Sequence, residues 1–313
     1  MISTRTRILT DPVEAAGLLR EGKLVAFPTE TVYGLGADAT NPLAVERVYR
    51  AKGRPGDNPL IVHLAGAEQI EEVAAEVPEA ASWLLEAFAP GPITVIVPRG
   101  PSIVPAVSAG LETVGVRVPA HPVARAVLKA AGIPVAAPSA NRSGRPSGTT
   151  WQAVLADLDG RIDGLLMGER PEVGIESTVV DCSGPVPAVL RTGGISLEQL
   201  RDVLPGIMAR GERLDASPGT RHPHYAPTAR VTVVDAPRPR DGAAYIGLQQ
   251  PEPGYVITEV VPDLESYART LYAFFRKADS VGVKQIDCER PPASGIGVAL
   301  RDRVVRAEAA SDR

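Results

Sequence analysis

Short apolar runs alternate with amphipathic stretches at helical spacing from Leu24 to Leu190, a pattern that fits neither an all-helical bundle nor an all-β sandwich. The predicted strands are Leu24 to Phe27, Leu60 to Leu64, Ile93 to Val97, Val114 to Val118, Ile133 to Ala137, Leu165 to Met167, Ser177 to Asp181 and Val189 to Leu190. Between them, Asp11-Pro12-Val13-Glu14 reads as a helix start, with Asp11 as N-cap and Glu14 closing a capping box, and Gly22 ends that helix. Asn41-Pro42 opens a second helix through Val45, Val48 and Tyr49. A glutamate-rich amphipathic stretch from Ala67 to Phe88 and helices at Pro122 to Ala131 and Leu197 to Val203 follow.

With 313 residues the chain exceeds the usual size of one core, so more than one domain is expected. Apolar periodicity vanishes from Pro205 to Arg230, where Pro, Gly, His and Arg accumulate. The division that follows is a first α/β domain over 1–205, a linker over 206–230 and a small α/β domain over 231–313. In the last, strands are predicted at Val231 to Val234, Ala244 to Leu248, Tyr255 to Thr258 and Val281 to Ile286, with helices at Asp263 to Lys277 and Val298 to Ala309.

Composition narrows the classes. Cys182 and Cys288 lie far apart with no metal-ligand spacing, so neither a structural zinc nor a disulfide framework is expected. No apolar run approaches the roughly 20 residues that span a bilayer, and no basic-then-apolar leader opens the chain, so it reads as cytoplasmic and without a membrane partner. The net charge of -4 hides a local imbalance: between Pro90 and Thr150, Glu112 is the one acidic residue beside Arg99, Arg117, Arg125, Lys129, Arg142 and Arg145. A cleft lined by that stretch attracts anions, although Arg125 and Lys129 fit a solvated helix face.

Two nucleotide motifs fail on inspection. Gly17 to Lys23 matches seven positions of a phosphate-binding loop, but Leu24 stands where Ser or Thr must hold magnesium, and the order is helix before strand. Gly34-Leu35-Gly36-Ala37-Asp38-Ala39 fits a loose dinucleotide fingerprint, yet no acidic residue ends the next strand, so it reads as a glycine-rich turn.

The chemistry-bearing residues cluster where apolar strands end, and open α/β sheets bind ligands outside such ends. They are Phe27-Pro28-Thr29-Glu30-Thr31-Val32-Tyr33-Gly34, then Lys52-Gly53-Arg54 with Asn58 and His63, then Pro138-Ser139-Ala140-Asn141-Arg142-Ser143-Gly144-Arg145-Pro146-Ser147. Ser177-Thr178-Val179 and Arg191-Thr192-Gly193-Gly194 complete the set. Guanidinium, ammonium and hydroxyl donors in such number suit phosphate or carboxylate groups. An enzyme that activates a carboxylate by transferring AMP to it fits this donor set.

In order and spacing these segments resemble the threonylcarbamoyl-AMP synthases, the YrdC-like enzymes, over nearly the whole chain. His224-Tyr225-Ala226-Pro227 and the run from Gly295 to Arg303 resemble the linker and last helix of the longer, two-domain members. The resemblance implies a YrdC-like twisted mixed sheet with a large basic cleft, plus a smaller C-terminal Rossmann-like α/β domain. It also implies a reaction in which L-threonine, bicarbonate and ATP give threonylcarbamoyl-AMP and pyrophosphate, with Mg2+ bound through the ATP phosphates and no metal ligand among the side chains. The product serves threonylcarbamoyladenosine modification of tRNA beside the anticodon, so the implied partners are the downstream tRNA threonylcarbamoyl transferase machinery, with direct tRNA contact left open.

Residue by residue, the resemblance places threonine on Thr31, His63, Arg117, the backbone near Ala137, and Ser177, with Arg117 gripping its carboxylate bidentately. ATP falls on Arg54, Asn58, Thr113, Ser139, Asn141, Ser147 and Arg191. Lys52 and Arg54 are the catalytic pair, and His224 and Tyr225 form a lid. Thr220-Arg221-His222-Pro223 stands where the resemblance implies a Met-Lys-Tyr-basic run. A rival reading is a non-catalytic factor that holds double-stranded RNA in the same basic concavity, which leaves His63, Asn141 and the hydroxyls unexplained. A carbamoyltransferase-type maturation factor would carry zinc-ligand cysteines, and the chain has two cysteines in all.

Overall fold

The computed structural model describes residues 5–209 and 225–311. Strands β1 (Arg7–Leu9), β2 (Val25–Phe27), β3 (Gly34–Asp38), β4 (Ile61–His63), β5 (Ile93–Pro98), β6 (Thr113–Arg117), β7 (Val135–Ala136), β8 (Gly164–Leu166), β9 (Thr178–Asp181) and β10 (Ala188–Arg191) form one mixed sheet. Its order is β1-β8-β2-β3-β7-β4-β6-β5-β9-β10. A second sheet joins β11 (Arg230–Val234), β12 (Ala243–Gly247), β13 (Ile257–Val260) and β14 (Gln285–Glu289) in the order β11-β14-β12-β13, with every pairing parallel.

The helices of the first lobe begin where local chemistry starts them. Asn41 caps α2 (Pro42–Lys52), its Oδ1 accepting from the amides of Leu43 and Ala44 at 3.0 and 3.2 Å. His121 caps α5 (Pro122–Ala131) through Nδ1, and Thr150 caps α6 (Trp151–Leu158). Alongside these run α1 (Pro12–Arg20), α3 (Ile70–Val73), α4 (Glu79–Phe88) and α7 (Leu197–Val203); α8 (Leu264–Ser280) and α9 (Ile296–Ser311) belong to the second lobe.

Several expectations need correction. Gly34 to Asp38 is strand β3 rather than a turn, because Gly36 packs against Phe27 and Val135 so closely that an added Cβ would lie 2.7 and 2.9 Å from their side chains. The glutamate-rich stretch breaks between α3 and α4, where Ala74 turns extended to bridge Arg99 and Pro78 restarts the helix. Asp11 caps α1 on the amide of Val13, but Glu14 pairs with Arg7 instead of closing a capping box. Val281 and Gly282 end α8, so the following strand shifts to Gln285–Glu289, and β13 likewise begins at Ile257. β1 and α6 escaped notice, β1 for its three-residue length.

Among the described residues three buried clusters serve the first sheet and one the second, and the last is not confined to its own lobe. Val32 and Ile175 of the first lobe pack into it beside Tyr225, Tyr267, Tyr272 and Phe275. Burying these apolar surfaces across the seam joins the lobes hydrophobically. Cys182 and Cys288 are both buried, and burial raises both thiol pKa values, that of Cys182 to about 12. Among the described residues no helix is long and apolar enough to cross a membrane.

Candidate active site

A hollow opens on the first lobe beside the seam. Thr31, His63, Arg117, Ala137 and Ser177 line it, and so do Arg54, Ser139, Arg191 and Tyr225. Ile61 and His63 lie two apart on one face of β4 and both face the hollow, which therefore crosses the face of this short strand instead of lying beyond one edge of the sheet. Ser177 precedes its strand β9 rather than following it, so amino and carboxyl ends of strands meet here, as a mixed sheet permits.

Three guanidinium groups give the hollow its sign. Arg54 is fixed by Asn58, donating from Nε to its carbonyl at 3.0 Å and from Nη2 to its Oδ1 at 2.6 Å. Burial lowers its pKa to about 10, which leaves it charged at neutral pH. Arg191, at the end of β10, donates from Nε and Nη2 to the carbonyl of Ser177 at 3.1 and 3.0 Å. Gly193 lets this loop approach, since a Cβ there would meet the Ser177 and Thr178 backbone at 2.3 Å. Arg117 donates from Nη2 to Glu30 Oε1 at 2.6 Å and from Nε to the Gly91 carbonyl at 3.4 Å. These bonds use one N–H of Nε and one of Nη2, which leaves Nη1 and the second N–H of Nη2 facing outward as a pair.

His63 is neutral. Burial and the neighbouring Arg117 charge lower its pKa to about 3. Its Nδ1 lies 3.1 Å from the Ile61 carbonyl, which can only accept, so Nδ1 carries the proton and Nε2 is an acceptor. The Ala137 amide donates to the same carbonyl at 2.8 Å, so this N–H is not free for a ligand. Thr31 is fully buried, its hydroxyl 2.9 Å from that of Thr29.

The remaining expected residues stand behind the lining. Lys52 is 2% exposed, and its Nζ donates to the carbonyls of Ser139 and Asn141 at 2.5 Å each. Burial, then the Arg54 charge, pushes its pKa well below the ordinary lysine value. Asn141 accepts from Ser139 Oγ at 2.6 Å and donates to the carbonyls of Arg142 and Arg145, which closes the loop on itself. Ser147 donates to Glu176 Oε1 at 2.6 Å, Asn58 holds Arg54, and Thr113 sits at the amino end of β6, away from Arg117. None of these five lines the hollow. His224 and Thr220 to Pro223 lie outside the described residues, whereas Tyr225 is buried on the hollow's wall. Arg125 and Lys129 are exposed on α5, as a solvated face requires.

Sequence reasoning passed over Glu30 and Glu176, although each adjoins an assigned residue. A carboxylate inside a cation-rich motif was the available signal. It passed over Tyr272 and Arg303 because nothing local connects them to the first lobe. Among the described residues no group of three His, Cys, Asp or Glu side chains is placed to hold a metal ion.

Comparison with known proteins supplies the wider frame. Residues 17–193 match the Sua5_yciO_yrdC family model, described as Telomere recombination, and residues 195–309 match the model described as Threonylcarbamoyl-AMP synthase, C-terminal domain. The chain is 42% identical to a threonylcarbamoyl-AMP synthase of Bacillus subtilis, across 94% of this chain and 92% of that one. It is 39% identical to a threonylcarbamoyl-AMP synthase of Pyrococcus abyssi, across 98% and 97%. The solved structure of P. abyssi Sua5 complexed with L-threonine superposes with a TM-score of 0.91 at 36% identity, covering 98% of each chain. With two sheets in the same arrangement and both family models matched in order, the chain belongs to the threonylcarbamoyl-AMP synthase family.

Proposed function

We propose that the hollow makes threonylcarbamoyl-AMP from L-threonine, bicarbonate and ATP and releases pyrophosphate, as a nucleotidyltransferase. The observation that carries this reading is the convergence of Arg54, Arg117 and Arg191 with neutral His63 on one hollow, in a chain whose relatives bear that enzyme's name. Its donors suit a triphosphate beside a small zwitterion.

Threonine would lie by Thr31, His63 and Ser177, its carboxylate on Nη1 and the second N–H of Nη2 of Arg117. Neutral Nε2 of His63 accepts a hydrogen bond from the substrate amine or hydroxyl without adding positive charge beside Arg117. Bicarbonate takes up a proton and loses water to give carbon dioxide, the neutral amine captures it as a carbamate and releases one proton to solvent, and a carbamate oxygen attacks the α-phosphorus. A new P–O bond forms as the bond to the β-phosphate breaks, and pyrophosphate leaves with the electron pair. Arg54 and Arg191 would neutralise charge that grows on the phosphates, held ready by Asn58 and Ser177 so that little reorganisation is needed. Lys52 shapes the Ser139 loop through its two carbonyl bonds rather than by reaching phosphate directly. Magnesium supplies further neutralisation when it arrives on the nucleotide, which suits a hollow walled by cations and hydroxyls.

The product is the donor for threonylcarbamoyladenosine in tRNA, so a tRNA-modifying transferase would consume it. The double-stranded RNA reading is disfavoured because Arg54, Arg117 and Arg191 are each at most 8% exposed, where a duplex backbone cannot reach them.

The test is incubation with ATP, threonine and bicarbonate, with pyrophosphate and the adenylate quantified by mass spectrometry. Release should require all three substrates; release that ignores threonine would rule the reading out.

A further inference from the structure

The loop over 139–147 lies between β7 and α6 without regular structure of its own, yet it carries Ser139 to the wall of the hollow. A long irregular connection inside a compact lobe keeps one shape only where something outside it offsets the entropy of holding it. Lys52 grips this one from α2, and the second lobe grips it too. Arg276 of α8 donates from Nη2 to the Pro146 carbonyl, while its Nη1 and Nη2 reach Asp157 Oδ1 and Oδ2 at 3.2 and 2.8 Å. The same carboxylate accepts from the Arg142 amide and from Arg145 Nη1 of the loop, at 3.2 Å each. The Ala226 amide, at the entry to the second lobe, donates to the Gly144 carbonyl at 3.1 Å.

We propose that Arg276 is a positioning residue for the hollow: from the second lobe it clamps the 139–147 loop, through Asp157 and the Pro146 carbonyl, in the shape that presents Ser139 to the nucleotide. The proposal rests on the reading that ATP lies on this loop.

Asp157 is the penultimate residue of α6, where the helix dipole disfavours an anion, and its side chain is fully buried. Burial would raise its pKa, yet the hydrogen bond and charge of Arg276, ahead of the Arg142 amide and the Arg145 charge, hold it below the ordinary carboxylate value. The Arg145 side chain is 57% exposed, so water screens its pull, whereas that of Arg276 is 16% exposed. One planar fork thus holds both the carboxylate on which two loop residues lean and a carbonyl of the loop itself. Asn141 carries the effect forward. It donates to the Arg142 and Arg145 carbonyls and accepts from Ser139 Oγ, so slack over 142–146 passes to the Ser139 hydroxyl. The threonine side of the hollow is spared, because Thr31, His63, Arg117 and Ser177 make their hydrogen bonds elsewhere.

Amide hydrogen–deuterium exchange and calorimetric binding of ATP and of L-threonine are measured on the full chain, for the wild type and for Arg276→Gln. The peptide over 139–147 should exchange about fivefold faster in the variant, with the peptide over α5 unchanged. ATP should bind about tenfold more weakly, the scale of coupling between distant groups, and threonine within about twofold of wild type. A merely structural tie between the lobes predicts that exchange rises in α5 as well, or that both affinities fall together, and either result overturns the proposal. Wild-type exchange of the loop overturns it too, as does unchanged ATP affinity beside a loosened loop. Should Arg276→Gln not fold, Arg276→Lys keeps the charge but lacks the fork that spans Asp157 and Pro146, and a loop that then exchanges as in the wild type overturns the proposal equally. If the wild type itself binds no ATP, the nucleotide reading falls, while faster loop exchange in Arg276→Gln still supports the clamp.

Discussion

His63 and Arg117 are register partners across the parallel strands β4 and β6, so an imidazole and a guanidinium face one hollow from adjacent strands. That pairing, after burial, is what keeps the imidazole uncharged. A protonated His63 would set two cations side by side out of water.

A pH prediction follows, with its sign fixed by the direction of the shift. The folded pKa of His63, about 3, lies below the unfolded value of 6.5, so protons bind the unfolded chain more readily. The stabilisation that neutral His63 provides is present above pH 6.5 and is lost as pH falls towards 3. Between pH 6.5 and 4.5 wild type should lose about 2 to 3 kcal/mol more than His63→Asn, which has no such proton to bind. Urea unfolding of both proteins across this range measures it, and parallel pH dependence would refute the neutral assignment.

Arg54→Ala should lower kcat/KM for pyrophosphate release by about 2 to 4 kcal/mol of transition-state stabilisation, the scale for one preorganised charged donor. The side chain is held by three hydrogen bonds to Asn58 and Pro59, so Asn58→Ala should lower it too, though less. Steady-state kinetics on folded variants decide this, and wild-type turnover in Arg54→Ala would remove it from the site.

Lys52 invites a different outcome. Its Nζ donates to two carbonyls; Lys52→Met takes the Lys52 donor from that of Asn141, while that of Ser139 keeps the Asn141 amide at 3.1 Å, so the change should destabilise the protein by about 1 to 3 kcal/mol as well as slow it. Lys52→Arg should not rescue, because a planar fork cannot replace a compact ammonium between the Ser139 and Asn141 carbonyls. Chemical denaturation checks the first statement and activity the second. A Lys52→Met protein of unchanged stability would point to a role on the substrate instead.

Truncation before the second lobe tests how far the first is self-sufficient. The sequence reading expects a folded first domain after such a deletion. The structure adds that Val32 and Ile175 would be exposed, and that Glu176 and Asp157 would lose the partners Arg303, Tyr272 and Arg276. A chain ending at residue 209 should therefore melt at lower temperature and bind a hydrophobic dye more strongly than the full chain. Identical melting would show that the seam contributes little.

The sequence by itself determined the alternating α/β pattern, the capped helices and the polar segments of the site, because these rest on interactions within a few residues. Asp11 and Asn41 act as caps wherever their helices lie, and Thr31, His63, Arg117 and Ser177 sit in motifs dense enough to be noticed locally. Only the tertiary structure decided which members of those motifs face the hollow. Lys52 reaches from α2 into the 139–147 loop and Arg117 is already shared with Glu30, outcomes that depend on a carbonyl and a carboxylate distant in sequence, whereas near neighbours turn Asn141 into its own loop. It alone brought Arg303 to Glu176 across 127 residues, at a seam where the second lobe's core takes in Val32 and Ile175 of the first.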